Sequence, residues 1–390
     1  MVPLNIAAKR PDVAAFAGIF VATLLSLMAV GAVLPVLPRY VRGPLDSGDV
    51  AVGVVIGCYA LTGLGARPFA GRFADTRGRR PLVVVGAALA GGAGLLYLVA
   101  NSIATLIAAR LLLGLGEGTV FTAGSAWIVD LAPVERRGRV IGLYGLAIWT
   151  GLTIGPAVGE LLFRAFGYDT VWAFAAASPL VGALVASQIP DRFEPATATK
   201  HGPLIERESI RPGLGLALAS VGYAAVAAFI VLYLESNGER HGAIAFTVFA
   251  ATVVITRLVA GGLPDRVGPL RCAAGAAATE AAGLVLIALA TSLPVAICGA
   301  VAMGAAFSLL YPSLSLVVVN RVAVERRGAA LGTFTAFFDL GVGVGAPLAG
   351  VAAAIGGYSA AFWLAAACAC GTGAIVTLTL RQSQQEPARA

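Results

Sequence analysis

The chain of 390 residues is 58% hydrophobic and only 12% charged, with a mean hydropathy of +0.88. Soluble domains carry about a quarter charged residues, so this composition excludes a soluble enzyme, a disordered chain and a secreted disulfide scaffold. The net charge of +7 does not indicate nucleic-acid binding, because the basic residues lie in short connections between long apolar runs. The sequence therefore predicts an all-α membrane protein with little outside the bilayer.

Twelve apolar segments follow one another along the chain, each long enough to cross about 30 Å of hydrocarbon as a helix. The longest polar stretch, 190–211, lies mid-chain and is predicted to link two six-helix bundles, 1–189 and 212–390. The predicted segments lie near 13–38, 50–73, 82–100, 103–129, 139–163, 169–189, 212–235, 243–264, 270–290, 293–319, 328–353 and 356–380.

Basic residues are distributed unequally between the two sides of these segments. Twenty of the 27 Lys and Arg residues fall on the side of the N-terminus, four fall on the other side, and three lie within segments: Arg67, Arg110 and Arg257. Because Lys and Arg accumulate in cytoplasmic loops, both termini are predicted to be cytoplasmic in a multi-pass membrane protein.

The two predicted bundles repeat each other at one offset of 190 residues. A single offset shared by distant segments indicates a duplicated unit, and such parallel repeats occur in secondary transporters. The repeated positions include Arg67, Gly71 and Asp75 with Arg257, Gly261 and Asp265, and also Gly114, Gly142 and Gly155 with Gly304, Gly332 and Gly345.

The segment Gly71–Arg80 (GRFADTRGRR) resembles the loop between helices 2 and 3 of the major facilitator superfamily, G-x-x-x-D-R/K-x-G-R-R/K. Only Thr76 departs from that pattern, where a basic residue is usual. The resemblance covers essentially the whole chain. It implies a twelve-helix transporter of two pseudo-symmetric bundles that works by alternating access, with a small-molecule substrate, no cofactor and no enzymatic activity. It also implies a monomer in the lipid bilayer of the bacterial plasma membrane.

The resemblance also implies a cytoplasmic gate formed by Gly71, Asp75, Arg79, Asp130 and Asp265. Asp75 can accept hydrogen bonds from a helix N-terminus in the other bundle, and Arg79 can pair with Asp130. The alternative is a positive anchor whose surface ion pairs contribute little.

Two charged residues lie on one face of the fourth segment. Arg110 and Glu117 are seven residues apart, so they share a helical face and could interact directly or through water. The pattern resembles the family's helix-4 motif, whose arginine is associated with proton coupling, so protonation of Glu117 tuned by Arg110 is expected. A purely structural ion pair is the alternative.

Two further acids lie inside apolar segments, Asp339 and Glu280. Asp339 has no charged residue nearby in sequence. An unpaired carboxylate at low dielectric is readily neutralised by a proton, which suits a proton carrier. Asp339 therefore ranks second to Glu117, and Glu280 third, because its segment is peripheral in the family's fold.

The fifth segment carries closely spaced glycines and a proline: Gly151, Gly155, Pro156 and Gly159. They resemble the G-x-x-x-G-P-x-x-G-G signature of the superfamily's antiporters, with Glu160 in place of the last glycine. Simple close packing of a neighbouring helix is the alternative.

Aromatic residues on the expected inner helices are candidates for the substrate cavity, although such residues more often pack or anchor helices. They are Phe121, Tyr144, Trp149, Tyr223, Tyr233 and Tyr311.

These patterns together favour a proton-coupled antiporter that exports a small drug-like or sugar-like molecule, similar to drug and arabinose-type efflux permeases. An uptake symporter or uniporter is the alternative within transport, and a non-transporting membrane receptor is a more distant one. Clustered metal ligands are absent from the sequence pattern, so no metal is expected.

Overall fold

The computed structural model describes residues 13–131, 137–190, 205–239, 241–323 and 326–385, with the side chains of Asp75, 137–143, Gly328 and 382–385 outside that description. Twelve helices in these ranges are long and apolar enough to cross a membrane. We number the long helices α1 Val13–Val33, α2 Asp49–Arg77, α3 Arg80–Leu98, α4 Ile103–Leu131, α5 Arg137–Phe166, α6 Tyr168–Ser187, α7 Ile210–Ser236, α8 Ala243–Ala260, α9 Pro269–Ala288, α10 Leu293–Val319, α11 Arg327–Gly356 and α12 Tyr358–Gln385.

The helices confirm the predicted all-α architecture, and no strand occurs in the described ranges. Short helices at Leu37–Arg42 and Leu263–Val267 follow α1 and α8. Because twelve spans are an even number, α1 begins and α12 ends on the same face of the molecule. We call this face the terminal side and the other the opposite side.

The 190-residue repeat is visible in the backbone of the turns. Gly78 and Gly268, which end the α2–α3 and α8–α9 connections, have φ of 96° and 92°. Gly167 and Gly357 occupy the α5–α6 and α11–α12 turns with φ of 83° and 76°. Since other residues rarely adopt this left-handed conformation, glycine is needed at all four positions. Each pair is separated by the repeat offset.

The polar linker ends earlier than the sequence predicts, because residues 205–211 are already folded against α11. The backbone N–H of Glu206 donates to Thr333 at 3.1 Å, and the Ser209 hydroxyl donates to the Ala330 carbonyl at 2.8 Å. The Glu206 carboxylate also pairs with Arg326 at 2.5 Å. The start of α7 is thereby fixed to the start of α11.

The bundles meet closely on the opposite side, where α2 lies against α11. A Cβ added to Gly57 would lie 2.9 Å from the Gly343 carbonyl, and one added to Gly350 would lie 2.6 Å from the Asp49 carbonyl. Backbones can approach this closely only where residues are small. At the second junction, α5 lies against α8, and a hydroxyl of α5 donates to an α8 carbonyl at 2.9 Å (Thr153 to Ala250).

Candidate functional site

A charged triad from both bundles lies at the centre of the molecule. Arg67 of α2 donates through Nε to Asp339 Oδ2 of α11 at 2.7 Å and through Nη2 to Oδ1 at 3.3 Å. Glu117 Oε2 of α4 lies 4.0 Å from Arg67 Nη2. The guanidinium also stands over the Phe121 ring, 4.5 Å from its centroid. One buried cation is therefore shared by two buried carboxylates, one from each bundle.

Asp339 is paired, contrary to the expectation of an isolated carboxylate. Its partner is 272 residues away, in the other bundle, so no local sequence pattern indicates the pair. Arg67 is not among the site residues that the sequence predicts. The signals that could have found it are its place within an apolar segment and its exact recurrence as Arg257.

Arg110 makes no direct contact with Glu117 among the described residues, so of the two predicted forms of their interaction the direct one is not formed. It is fully buried, and it donates from Nε and Nη2 to the Val55 and Ile56 carbonyls of α2, each at 2.8 Å. Its guanidinium also covers the Tyr59 ring at 4.4 Å. Helical side chains lean toward the N-terminus, so Arg110 points away from a residue two turns further along. Arg110 therefore fastens α4 to α2.

A cavity of about 1200 Å³ lies on the terminal side of the triad, between α2, α4 and α11. Its charged lining residues in the described chain are both arginines, Arg67 and Arg72. Because the wall includes residues at the helix ends, the cavity reaches the terminal side. Three phenylalanines and four hydroxyl side chains complete much of the wall: Phe69, Phe121, Phe337, Thr122, Ser125, Thr333 and Thr335.

One of the predicted cavity aromatics lines this cavity, and a second contacts a residue of its wall. Phe121 lines it directly, beneath the Arg67 guanidinium. The Tyr311 hydroxyl is 2.9 Å from that of Thr335, which also lines the wall. These two rings occupy equivalent positions in the repeat, so each bundle contributes one aromatic residue of this kind.

Two other predicted aromatics hold helices together within a bundle. The Tyr233 hydroxyl donates to the Ala288 and Ala290 carbonyls at 2.9 and 3.0 Å, so it joins α7 to the end of α9. Tyr144 of α5 is buried, and its hydroxyl lies 3.1 Å from that of Thr23 of α1.

Trp149 and Tyr223 lie at the junction of the bundles. The Trp149 ring meets Phe307 edge-on, with centroids 5.9 Å apart, and so connects α5 with α10. Tyr223 of α7 stacks on Phe307 at 5.6 Å. This aromatic cluster is a second inter-bundle contact besides the charged triad.

The predicted gate residues are only partly brought together. Arg79 Nε lies 3.0 Å from Asp130 Oδ2, but both residues belong to the N-terminal bundle, so this pair does not join the halves. Asp265 is exposed, and a Cβ added to Gly71 would have its nearest neighbour 3.9 Å away. The Asp75 side chain lies outside the described residues.

The glycines of α5 form a face that packs directly on α1. A Cβ at Gly151 would lie 2.8 Å from an α1 carbonyl, and one at Gly155 would lie 2.5 Å from the Met28 carbonyl. A Cβ at Gly159 would overlap a third carbonyl of α1, and Pro156 faces Gly31. This contact accounts physically for the spacing, whatever the direction of transport.

A second ionic cluster, which the sequence reasoning misses, joins the bundles on the opposite side. Arg39 Nη1 lies 2.5 Å from Glu160 of α5, and Arg39 Nε lies 2.7 Å from Glu235 of α7. Arg164 adds a further contact to Glu160 at 2.6 Å. We call these four residues the clasp. Glu160 is the residue that replaces the last glycine of the antiporter-like pattern.

Glu280 is completely buried in the C-terminal bundle, and neither carboxylate oxygen has a hydrogen-bond partner among the described residues. A Cβ at Gly222 of α7 would lie 2.6 Å from its Oε1. No ion pair connects Glu280 with the triad in the part of the chain that the structure describes. Its surroundings are therefore those of the C-terminal bundle alone.

Twelve helices long and apolar enough to span a membrane, arranged as two repeated bundles with a charged triad between them, define a multi-pass membrane protein. The family model of the Major Facilitator Superfamily matches residues 19–241 and 213–390. The chain belongs to this family, and it is accordingly a secondary transporter of small molecules and not an enzyme. This membership argues against the non-transporting receptor considered above.

Similar proteins extend over nearly the whole chain. An uncharacterized MFS-type transporter of Salmonella typhimurium is 34% identical over 371 residues, covering 93% of this chain and 95% of its own. One from Burkholderia mallei is 33% identical over 375 residues, covering 93% and 91%.

Solved structures share the fold at low sequence identity. The nucleoside transporter NupG, as its D323A mutant, aligns with a TM-score of 0.78 at 13% identity, covering 93% of this chain and 99% of its own. The human organic anion transporter MFSD10 (TETRAN) aligns with a TM-score of 0.72 at 17% identity, covering 94% and 100%.

Proposed function

We propose that this transporter is a proton-coupled antiporter that exports a small organic molecule, drug-like or sugar-like, across the bacterial plasma membrane. The observation that carries the proposal is the Arg67 guanidinium shared by Glu117 and Asp339 across the bundle interface. Intramembrane carboxylates are the groups expected to take up and release protons, and the arginine that these two share lines the cavity.

In this proposal the proton acts on the contact between the bundles. With both carboxylates ionised, Asp339 holds α11 to α2 through Arg67, next to the closely packed opposite side. Protonation of Asp339 removes its charge, so the bond weakens and Arg67 stays with Glu117. The ionised triad therefore favours the terminal-open form, and the protonated triad favours the form open to the opposite side.

The orientation of the protein in the membrane determines that this cycle exports the substrate. The basic-residue distribution supports a cytoplasmic terminal side, with both termini inside. Substrate would then enter the cavity from the cytoplasm while the triad is ionised, and protons would bind from outside. The proton is then carried to the cytoplasmic side on the return step, after the substrate has left, so the two loads move in opposite directions.

The terminal side carries the proposed cytoplasmic gate. Asp75 and Asp265 follow the cavity-lining part of α2 and the repeat-equivalent part of α8, and Arg79 with Asp130 positions the α2–α3 turn. These residues would close the cavity from the cytoplasm in the other conformation, when the clasp opens. The resemblance of the α5 glycines to the antiporter signature, not their packing on α1, supports the same direction. A monomer is sufficient for this cycle.

The test uses everted membrane vesicles that contain the full-length protein and a panel of labelled sugars and antibiotics. An inward-acidic gradient should drive accumulation of at least one compound by the wild type. Glu117→Gln and Asp339→Asn should each abolish this accumulation, because each removes a carboxylate of the triad, while leaving the amount of folded protein in the membrane unchanged. Thr279→Ala, at an exposed position on α9, serves as the control and should transport as the wild type does.

Two outcomes would contradict the proposal. Accumulation by Glu117→Gln and by Asp339→Asn with the pH dependence of the wild type would remove the triad carboxylates from the coupling. Uptake of the compound by intact cells, without accumulation in everted vesicles, would favour the symporter or uniporter alternative.

A further inference from the structure

The 190-residue repeat places a second version of the triad in the C-terminal half of the interface. That version keeps the arginine, as Arg257, and an aromatic residue in place of Phe121. Aromatic residues replace both carboxylates. The equivalent positions are Arg67 and Arg257, Phe121 and Tyr311, Glu117 and Phe307, and Asp339 and Trp149.

The replaced positions still form an inter-bundle contact. Trp149 of α5 and Phe307 of α10 meet with ring centroids 5.9 Å apart, as Asp339 and Glu117 meet through Arg67. Phe338 adds a further ring, 6.2 Å from Phe307. The second site is thus an aromatic cluster at the position that the carboxylates occupy in the first.

Arg257 has no counter-charge in this arrangement. Its Nε is buried without a hydrogen-bond partner, and no carboxylate of the described chain pairs with its guanidinium. The side chain remains partly exposed. An unpaired cation inside a membrane protein is unfavourable, so such residues normally face a cavity or a ligand.

Tyr311 relates Arg257 to the cavity. Tyr311 occupies the repeat position of Phe121, the ring that faces Arg67, and its hydroxyl contacts Thr335 of the cavity wall at 2.9 Å. The charge of Arg67 is already balanced by its two carboxylates, so Arg257 is the cation available to a ligand. Arg72 adds positive charge to the same cavity wall.

We propose that Arg257 binds the acidic group of an amphipathic organic anion, whose apolar body packs on the rings around Trp149 and Phe307. This assignment rests on the proposed transport function and names its substrate class. The proton and the ligand are held by different side chains, so the terminal-open form with an ionised triad can bind the anion. The anion leaves from the form open to the opposite side, where the triad then takes up its proton from outside.

The test compares three naphthalene probes of similar shape: naphthoate, naphthalenemethanol and naphthalenemethylamine. Their binding to purified full-length protein in lipid nanodiscs is measured by equilibrium dialysis. We expect naphthoate to bind the wild type most tightly. Arg257→Gln should weaken naphthoate binding by about tenfold to a hundredfold, because a charge-assisted hydrogen bond is lost, and leave naphthalenemethanol unchanged.

Two further variants keep the result interpretable. Arg257→Lys retains the charge and should recover part of the naphthoate affinity, which excludes a folding defect as the cause. Arg266→Gln removes an exposed charge of the following short helix and should bind all three probes as the wild type does.

Equal binding of the three probes by the wild type, or unchanged naphthoate binding by Arg257→Gln, would overturn the assignment. Gradient-driven transport of another compound would then leave the proposed function standing. Conversely, Arg257-dependent naphthoate binding without any gradient-driven transport would support the anion site and contradict the transport mechanism.

Discussion

Arg67 is buried, charged and shared, and these properties determine how the triad responds to substitution. Its side chain is 17% exposed, and those of Glu117 and Asp339 are 12% and 6% exposed. Removing one member of a buried ion pair leaves the other charge without compensation, which is more destabilising than the pair is stabilising. The arginine is the most sensitive of the three, because two carboxylates depend on it.

Arg67→Gln should therefore lower the stability of the purified protein by about 3–5 kcal/mol near neutral pH, measured as a lower Tm. Asp339→Asn should have a smaller effect, since Arg67 keeps Glu117 nearby. Acidification should restore part of the Tm of Arg67→Gln, because the unpaired carboxylates become neutral. Arg72→Gln, at an exposed cavity position, is the control. A Tm of Arg67→Gln equal to that of the control would show that the triad is not a stabilising unit.

Sequence reasoning finds the acids of this site but not their partner. Glu117 and Asp339 can be recognised from a single sequence, because charged residues are rare in apolar segments. Pairing between bundles depends on the packing of α2 against α11, which hydropathy does not specify. For the same reason the sequence does not indicate that Arg110, which does lie on the face of Glu117, donates to carbonyls of α2.

At the scale of helices, small residues determine which pairs of helices approach most closely. The α5 glycines pack on α1 within one bundle, and Gly57 and Gly343 bring α2 and α11 together between bundles. Helix positions could be predicted from apolar length alone, since the bilayer fixes the number of residues needed. The folding of residues 205–211 onto α11 could not, because it depends on specific hydrogen bonds.

Gly155→Leu should destabilise the protein by about 1–3 kcal/mol or more, because its side chain would collide with the Met28 carbonyl of α1. Gly145→Leu, on the same helix, is the matched control, since nothing lies within 4 Å of a Cβ added there. The measurement is the Tm of each purified variant together with its yield of monodisperse protein. Equal losses in the two variants would indicate a general intolerance of α5 and not a close contact with α1.

At the scale of the whole molecule, two ionic contacts between the bundles lie at different depths. The triad lies at the inner end of the cavity, and the clasp of Arg39, Glu160, Glu235 and Arg164 lies on the opposite side. Both contacts are formed in the terminal-open conformation. The clasp and the Arg67–Asp339 bond must therefore both break before the opposite side can open, and only the triad lies beside the cavity.

The most direct test is a distance measurement between spin labels at Asn101→Cys and Thr291→Cys, exposed positions on the opposite side that the repeat relates. The native cysteines, including the exposed Cys298 and Cys370, are first replaced. In nanodiscs, acidification should shift the wild-type distances toward a longer, opposite-open population. Asp339→Asn should show that population at both pH values. Wild-type distances that do not change with pH, or a variant that responds as the wild type does, would contradict proton control of the bundle interface through Arg67.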